Sequence, residues 1–317
     1  MNVLRWGRSE YETLFDLELE HEGAESLEME WAKHDDSTTI PALTGVDVLV
    51  VNSRSTVDAK VIERFKGSLI LTTTSGWDHI DVEAAAARNI KVARLPQIRR
   101  DAVVHHALGG MIALMRSFPQ FQRAAREGRW AREDLPMLAP VALSNATVTV
   151  VGLGVIGQAM AKTLTQLGAK VLGVDPAGVP MGIEACALDE ALSRSNAVTL
   201  HCSLTASSRE LFNGARIDRM PRGGVLVNTA RGSCLDVEAA VERVRTQQLR
   251  GLLVDVFPGE PYRRLAEGAA VPGVVFTPHA AGYTRGMGQR VAEGVTETLK
   301  AHRDGEPIPY EVVLPQI

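Results

Sequence analysis

A chain of 317 residues with 34 lysines and arginines against 38 aspartates and glutamates carries a net charge of -4, and 45% of its residues are hydrophobic. At roughly 150 residues per domain the length accommodates about two domains, and the near balance of charge gives no electrostatic reason for nonspecific attraction to nucleic acid or an acidic membrane. Three scattered cysteines, Cys186, Cys202 and Cys234, exclude a disulfide framework and supply no C-x-x-C pair for zinc or redox work.

The opening stretch MNVLRWGRSEYETLFDLELE interleaves charges every few residues and lacks the apolar core of a signal peptide. The longest apolar run, 107–115, is far shorter than a membrane span. A soluble, cytoplasmic protein is the expectation. From there short runs of Val, Ile and Leu predict strands at 46–51, 69–73, 90–95, 147–151, 171–174, 197–201, 225–228, 252–256 and 274–277. Most are continuously apolar, as strands covered on both faces should be. Segments of helical period at 58–65, 81–88, 158–167, 188–193 and 237–246 alternate with them, which is the pattern of βαβ units around a parallel sheet.

One interruption breaks this alternation, between 101 and 146. The helical stretch AVVHHALGGMIALMRSF is followed by the charged segment REGRWARED and the loop LPMLAPVALSN, as in a crossing from one α/β unit to another. A second helical stretch, 286–303, follows the last strand and can cross back. Residues 1–100 and 285–317 are therefore expected to share one discontinuous domain, with 101–284 forming the other.

After the strand at 147–151 comes a glycine-rich turn, VGLGVIG, that opens a helix. Gly152 permits the tight turn, Gly154 lets backbone approach a pyrophosphate, and Gly157 lets helix and strand pack closely. Val155 and Ile156 then sit in the first helical turn, whose free N–H groups attract phosphate. Asp175 ends the next strand, 18 residues beyond Gly157, where a carboxylate accepts hydrogen bonds from a ribose and repels a 2′-phosphate. The expected cofactor is NAD, with NADP disfavoured.

Three later strands run into polar residues at their carboxyl ends: VLVN into Thr229, Ala230 and Arg231, LLVDVF into Glu260, and VVFT into His279. Ligands of an open α/β sheet bind at that edge. A guanidinium there can hold a carboxylate bidentately and polarise a neighbouring carbonyl. A histidine steadied by a carboxylate can move the proton that accompanies hydride transfer.

VGLGVIG, HCSLT with ELFN, MPRGGVLVNTARGSCLD, GLLVDVFPGEP and TPHAAGYT together resemble the D-isomer-specific 2-hydroxyacid dehydrogenases, over about residues 46 to 290. The resemblance implies a Rossmann-type doubly wound parallel sheet domain and a second, flavodoxin-like α/β domain, with a substrate cleft between them. It implies that Arg231 anchors the substrate carboxylate, that His279 is the acid/base and that Glu260 supports it. It places Asp255 near the nicotinamide amide and puts Thr205 and Asn228 in stretches lining the cofactor site. The loop TTTSGWDHID looks like the family's substrate loop, with Ser75 and Gly76 offering N–H groups. The crossover helix and the segment around Trp130 resemble the family's dimer contact, so a homodimer is expected.

The chain also departs from the family's pattern. Val155 stands where many relatives have Arg, and Val103-Val104-His105-His106 where Val-Ala-Glu is common. Adjacent histidines on a helix do not face one another, so no metal site is expected there. Ser53 and Arg54 resemble phosphoglycerate dehydrogenases, yet Asn52 occupies the position of a phosphate-binding Arg. Arg99 and Arg100 are candidates for a second anionic group or a solvated basic pair. Tyr283 and Trp77 either narrow the pocket or pack. Cys234 reads as structural. The expected activity is NAD-dependent interconversion of a 2-oxo acid and a D-2-hydroxy acid, in a form without the family's regulatory domain. The alternatives are a dehydrogenase of a phosphorylated hydroxy acid, of 3-phosphoglycerate or erythronate-4-phosphate type, and an NAD(H)-sensing, corepressor-like scaffold.

Overall fold

The computed structural model describes residues 1–7 and 17–313; 8–16 of the charged N-terminal stretch and 314–317 of the second segment of the discontinuous domain lie outside the described residues. The chain divides into two compact units, Met1–Arg99 with Thr284–Ile317, and Arg100–Tyr283. Among the described residues no helix is long and apolar enough to cross a membrane.

The first unit holds strands β1 (Asn2–Trp6), β2 (Glu30–His34), β3 (Val48–Val51), β4 (Leu69–Thr72) and β5 (Lys91–Arg94), in the order β2-β1-β3-β4-β5. Every pairing is parallel, and the order is the flavodoxin-like one. β3 and β4 are buried along their whole length, which is why their apolar runs are unbroken. The helices between them start where side chains cap them. Asp58 accepts from the Val61 N–H at 3.0 Å and Asp81 from the Ala84 N–H at 2.9 Å.

β1 and β2 escape a reading by hydropathy for two different reasons. β1 carries Arg5 as its fourth residue, 1% exposed, with Nε donating to Glu20 Oε2 at 2.9 Å. Burial pushes the Glu20 carboxyl up, and the Arg5 charge and hydrogen bond oppose it. A charge paired across sequence is indistinguishable, in one dimension, from a solvated one. β2 is an edge strand and mostly exposed, so it has no apolar run to show.

The second unit holds β6 (Thr147–Val151), β7 (Lys170–Val174), β8 (Glu184–Ala185), β9 (Ala197–Leu200), β10 (Gly224–Asn228), β11 (Leu249–Val254) and β12 (Val274–Phe276). Their order, β12-β11-β10-β9-β6-β7-β8, is all parallel. This is the doubly wound arrangement, and winding reverses between β6 and β9. Side chains alternate between two cores with the period of a strand. Leu226 enters one, whereas Val225 and Val227 enter the other. Each fully buried Val or Leu contributes about 1.5–3 kcal/mol. The helix Pro96–Met115 starts earlier than its apolar period suggests, with proline at its first position. Its Ala107, Met111, Leu114 and Met115 pack into the second core.

Candidate active site

The glycine-rich turn leaves β6 with Gly152 in the left-handed region, at φ 89°, a conformation glycine adopts without strain. A Cβ on Gly157 would lie 1.8 Å from the Gly152 carbonyl oxygen, so the helix Val155–Gln166 can begin here only with glycine at that position. A Cβ on Gly154 would meet nothing within 4 Å, which leaves open space over the start of the helix. The N–H groups of Val155, Ile156 and Gly157 belong to the first turn and have no acceptor within the helix. Asp175, just past β7, closes the other side. Its two carboxylate oxygens accept from the Leu153 N–H at 2.5 Å and the Ala177 N–H at 2.8 Å.

β10, β11 and β12 are successive neighbours, so their carboxyl ends share one edge with the glycine turn. Gly232 lets the turn after β10 touch the turn after β11, because a Cβ there would meet the Phe257 carbonyl carbon at 1.9 Å. Arg231 is thereby brought to Glu260. Its Nη1 donates to the Ala230 carbonyl at 2.7 Å. Glu260 accepts from the Phe257 N–H at 3.0 Å through Oε1 and lies 2.8 Å from His279 Nδ1 through Oε2. Burial pushes the Glu260 carboxyl up. Hydrogen bonds from His279 and Phe257, with the His279 and Arg231 charges, outweigh it and hold the carboxyl below its ordinary range. An ionised carboxylate can only accept, so His279 Nδ1 carries the hydrogen and Nε2 is left with a lone pair or a transferable proton. The His279 side chain is 56% exposed, which keeps that nitrogen reachable.

The model of the D-isomer specific 2-hydroxyacid dehydrogenase NAD binding domain matches residues 108–281. The chain belongs to this family. It is 34% identical over 262 residues to hydroxypyruvate reductase of Thermotoga maritima, covering 80% of this chain and 84% of that one. It is 31% identical over 300 residues to D-3-phosphoglycerate dehydrogenase of Mycobacterium bovis, covering 91% of this chain and 55% of that protein. The chain thus spans about half the length of the latter. The crystal structure of the TT0316 protein from Thermus thermophilus is similar at a TM-score of 0.81 with 31% identity, covering 99% of this chain and 100% of that one.

NAD is the family's cofactor, and the residues present fit it. The space over Gly154 accommodates a pyrophosphate, and each Asp175 oxygen has a lone pair left for a ribose hydroxyl. Beyond β10, Thr229 Oγ1 is buried with no hydrogen-bond partner among the described residues, as a group facing a ligand would be. Other residues that the resemblance places at the cofactor also make hydrogen bonds within the protein. Asn228 is fully buried, donates to the Arg231 carbonyl at 3.0 Å and accepts from the Ala230 N–H at 3.0 Å, so its carboxamide shapes the Arg231 turn. The Asp255 carboxylate, 1% exposed, is likewise hydrogen-bonded to residues 277–281. The Thr205 N–H donates to Ser208 Oγ at 2.7 Å in an exposed turn.

In the first unit the loop after β4 is held by two arginines. Arg94 lies over the Trp77 ring at 4.5 Å and donates to the Ser75 carbonyl at 3.0 Å, while Arg99 donates to the Thr73 carbonyl. Ser75 Oγ is buried without a hydrogen-bond partner among the described residues, and Gly76 is buried beside it. Asn52 Oδ1 accepts from the Arg54 N–H at 2.9 Å, and Arg54 is exposed. Arg100 pairs with the neighbouring Asp101 through Nε at 2.7 Å and Nη2 at 3.2 Å, which matches its charge. The Tyr283 N–H donates to the Ala280 carbonyl at 2.9 Å, closing the turn that follows His279. Cys234 is buried with its sulfur 4.0 Å from that of Cys202. The hydrogen bond between them and burial push the Cys202 thiol up, so this pair is not poised as a thiolate.

His201, which sequence reasoning passed over, directly follows β9 and lies against the glycine turn. Its Nε2 lies 3.0 Å from Thr199 Oγ1, and burial lowers its pKa to about 4. The unfolded chain takes up a proton near the ordinary histidine pKa, and the folded chain does so only near the lowered one. Stability is therefore unaffected at neutral pH and falls as pH drops between the two values. Urea unfolding should show a loss of about 2 kcal/mol between about pH 7 and about pH 5 that His201→Asn abolishes. An unchanged pH slope in that variant would count against the assignment.

Proposed function

We propose that this protein is an NAD-dependent oxidoreductase interconverting a 2-oxo acid and a D-2-hydroxy acid. The observation that carries it is the 2.8 Å contact between His279 Nδ1 and Glu260 Oε2, with Arg231 alongside, on the edge of the sheet that bears the glycine turn. NAD, when bound, supplies or accepts the hydride. Arg231 holds the substrate carboxylate with two parallel hydrogen bonds and polarises the adjacent carbonyl. His279 Nε2 gives a proton to the oxygen that becomes the hydroxyl in reduction, and takes it back in oxidation. Glu260 keeps the ring oriented through its contact with Nδ1. The first unit is proposed as the substrate domain, with Ser75 and Gly76 as further substrate contacts.

A panel of 2-oxo acids with NADH absorbance as readout tests this, and should include pyruvate, glyoxylate, hydroxypyruvate and phosphohydroxypyruvate. Turnover of at least one is expected. Tight NADH binding with no turnover of any would overturn the enzyme reading in favour of an NAD(H)-responsive scaffold. Preference for the phosphorylated member would assign Arg54 and Arg99 to a phosphate.

The proposed partner is a second copy of the chain. Phe118, Trp130 and Met137 are 57%, 87% and 80% exposed, and His105 and Gly109 form an uncovered face on the preceding helix. A second copy would cover these exposed apolar side chains. Light scattering should give a dimer mass, and a monomer would refute it. The three free thiols support a reducing, cytoplasmic setting.

A further inference from the structure

We propose that His106, on the helix Pro96–Met115, is a positioning residue for the His279 turn, acting through Thr277 and Asp255. The inference rests on the role of His279 proposed above.

His279 has φ 55°, in the left-handed region, a conformation that a non-glycine residue keeps only where its surroundings hold it there. The bonds that hold it converge on Asp255, at the end of β11. Its carboxylate accepts from Thr277 Oγ1 at 2.5 Å, the Ala280 N–H at 2.8 Å and the Ala281 N–H at 3.0 Å. Its backbone carbonyl accepts from the His279 N–H at 2.8 Å. Residues on both sides of the proposed acid/base are thus tied to one buried anion.

That anion is itself supported from the helix. His106 Nε2 lies 3.1 Å from Thr277 Oγ1 and 3.8 Å from Asp255 Oδ1. A hydroxyl has one hydrogen, and Thr277 gives its own to the carboxylate, which has none to return. Thr277 can only accept from His106, so the imidazole hydrogen sits on Nε2. The chain of donors runs one way: His106 to Thr277, Thr277 to Asp255. Removing His106 leaves the Thr277 oxygen without its donor and the buried carboxylate without the positive edge of the ring. The turn then loses the constraint that orients the His279 ring, and small misplacements of a reacting group cost rate steeply.

The test uses the full chain labelled with 15N-histidine, comparing wild type with His106→Ala, His106→Gln and Thr277→Val. Long-range 1H–15N correlations report each imidazole, and the His279 signals are identified by their loss in His279→Asn. His106→Ala and Thr277→Val should broaden or shift the His279 ring signals. Glutamine, whose amide can donate to Thr277, should restore them. With the best substrate of the panel, His106→Ala should lower kcat about 10-fold while KM stays within about twofold, and His106→Gln should recover most of the loss.

His279 signals unchanged in both His106→Ala and Thr277→Val overturn the proposal. So does a fall in melting temperature with spectrum and kcat intact, because that marks a merely structural histidine. If the wild type turns over no substrate, the activity reading fails while the spectra still decide the link from His106 to His279.

Discussion

Replacing His279 by alanine lowers kcat by about 10²-fold or more, the usual worth of a positioned acid/base group. Of the proposed trio Arg231, Glu260 and His279, the histidine is the member that can carry the proton. Glu260 is ionised and occupied at both oxygens by Phe257 and His279, and Arg231 has no proton to give near neutrality. Loss of the ring leaves water to protonate the forming alkoxide in place of a positioned acid. The glycine turn and Asp175 are untouched, so NADH affinity measured by fluorescence titration should stay at the wild-type value. Wild-type turnover in the alanine variant would remove His279 from the mechanism. A loss of NADH binding instead would show that the substitution had disturbed the edge as a whole.

Arg231→Ala should lower kcat/KM by about 10³-fold, through both constants, because each charge-assisted hydrogen bond contributes about 1.5–3 kcal/mol and a carboxylate would lose two. Arg231→Lys should recover little of it, since an ammonium cannot present two parallel donors to one carboxylate. The turn that carries Arg231 is pinned independently of its side chain. The carboxamide of Asn228 bonds the Arg231 carbonyl and the Ala230 N–H, and Gly232 packs on the Phe257 backbone. The alanine variant should therefore keep its wild-type melting temperature, which separates lost recognition from lost folding. An unchanged KM with reduced kcat would mean that Arg231 acts on the carbonyl and that another residue binds the carboxylate.

Both predictions concern residues visible in the sequence, and the reason is topological. In a parallel sheet every strand delivers its carboxyl end to the same edge, so polar residues after VLVN, LLVDVF and VVFT had to gather if those runs were adjacent strands. The central strands were equally visible because burial on both faces makes them continuously apolar. β1, β2 and β8 were not: the first hides a buried charge, the second is an exposed edge, and the third is only two residues long.

The division of labour among the site residues was less legible. Asn228 and Asp255 sit in stretches that the family resemblance assigns to the cofactor, yet their side chains hold the Arg231 and His279 turns in place. A motif shows that a polar residue lies at an edge without showing which of its neighbours consumes its hydrogen bonds. His106 and His201 were harder still. One lies 171 residues from its partner Thr277, and the other is marked only by its burial.

By itself the sequence determined the α/β class, the glycine turn and the three strand ends. Each depends on short-range properties: hydropathic period, the φ that glycine permits, and side-chain chemistry at a run's end. Tertiary structure decided which of those ends are neighbours and what each polar atom touches. Strand order places β10, β11 and β12 side by side, at about 4.8 Å per strand. That spacing, set by backbone hydrogen bonds between distant segments, brings Arg231, Glu260 and His279 together.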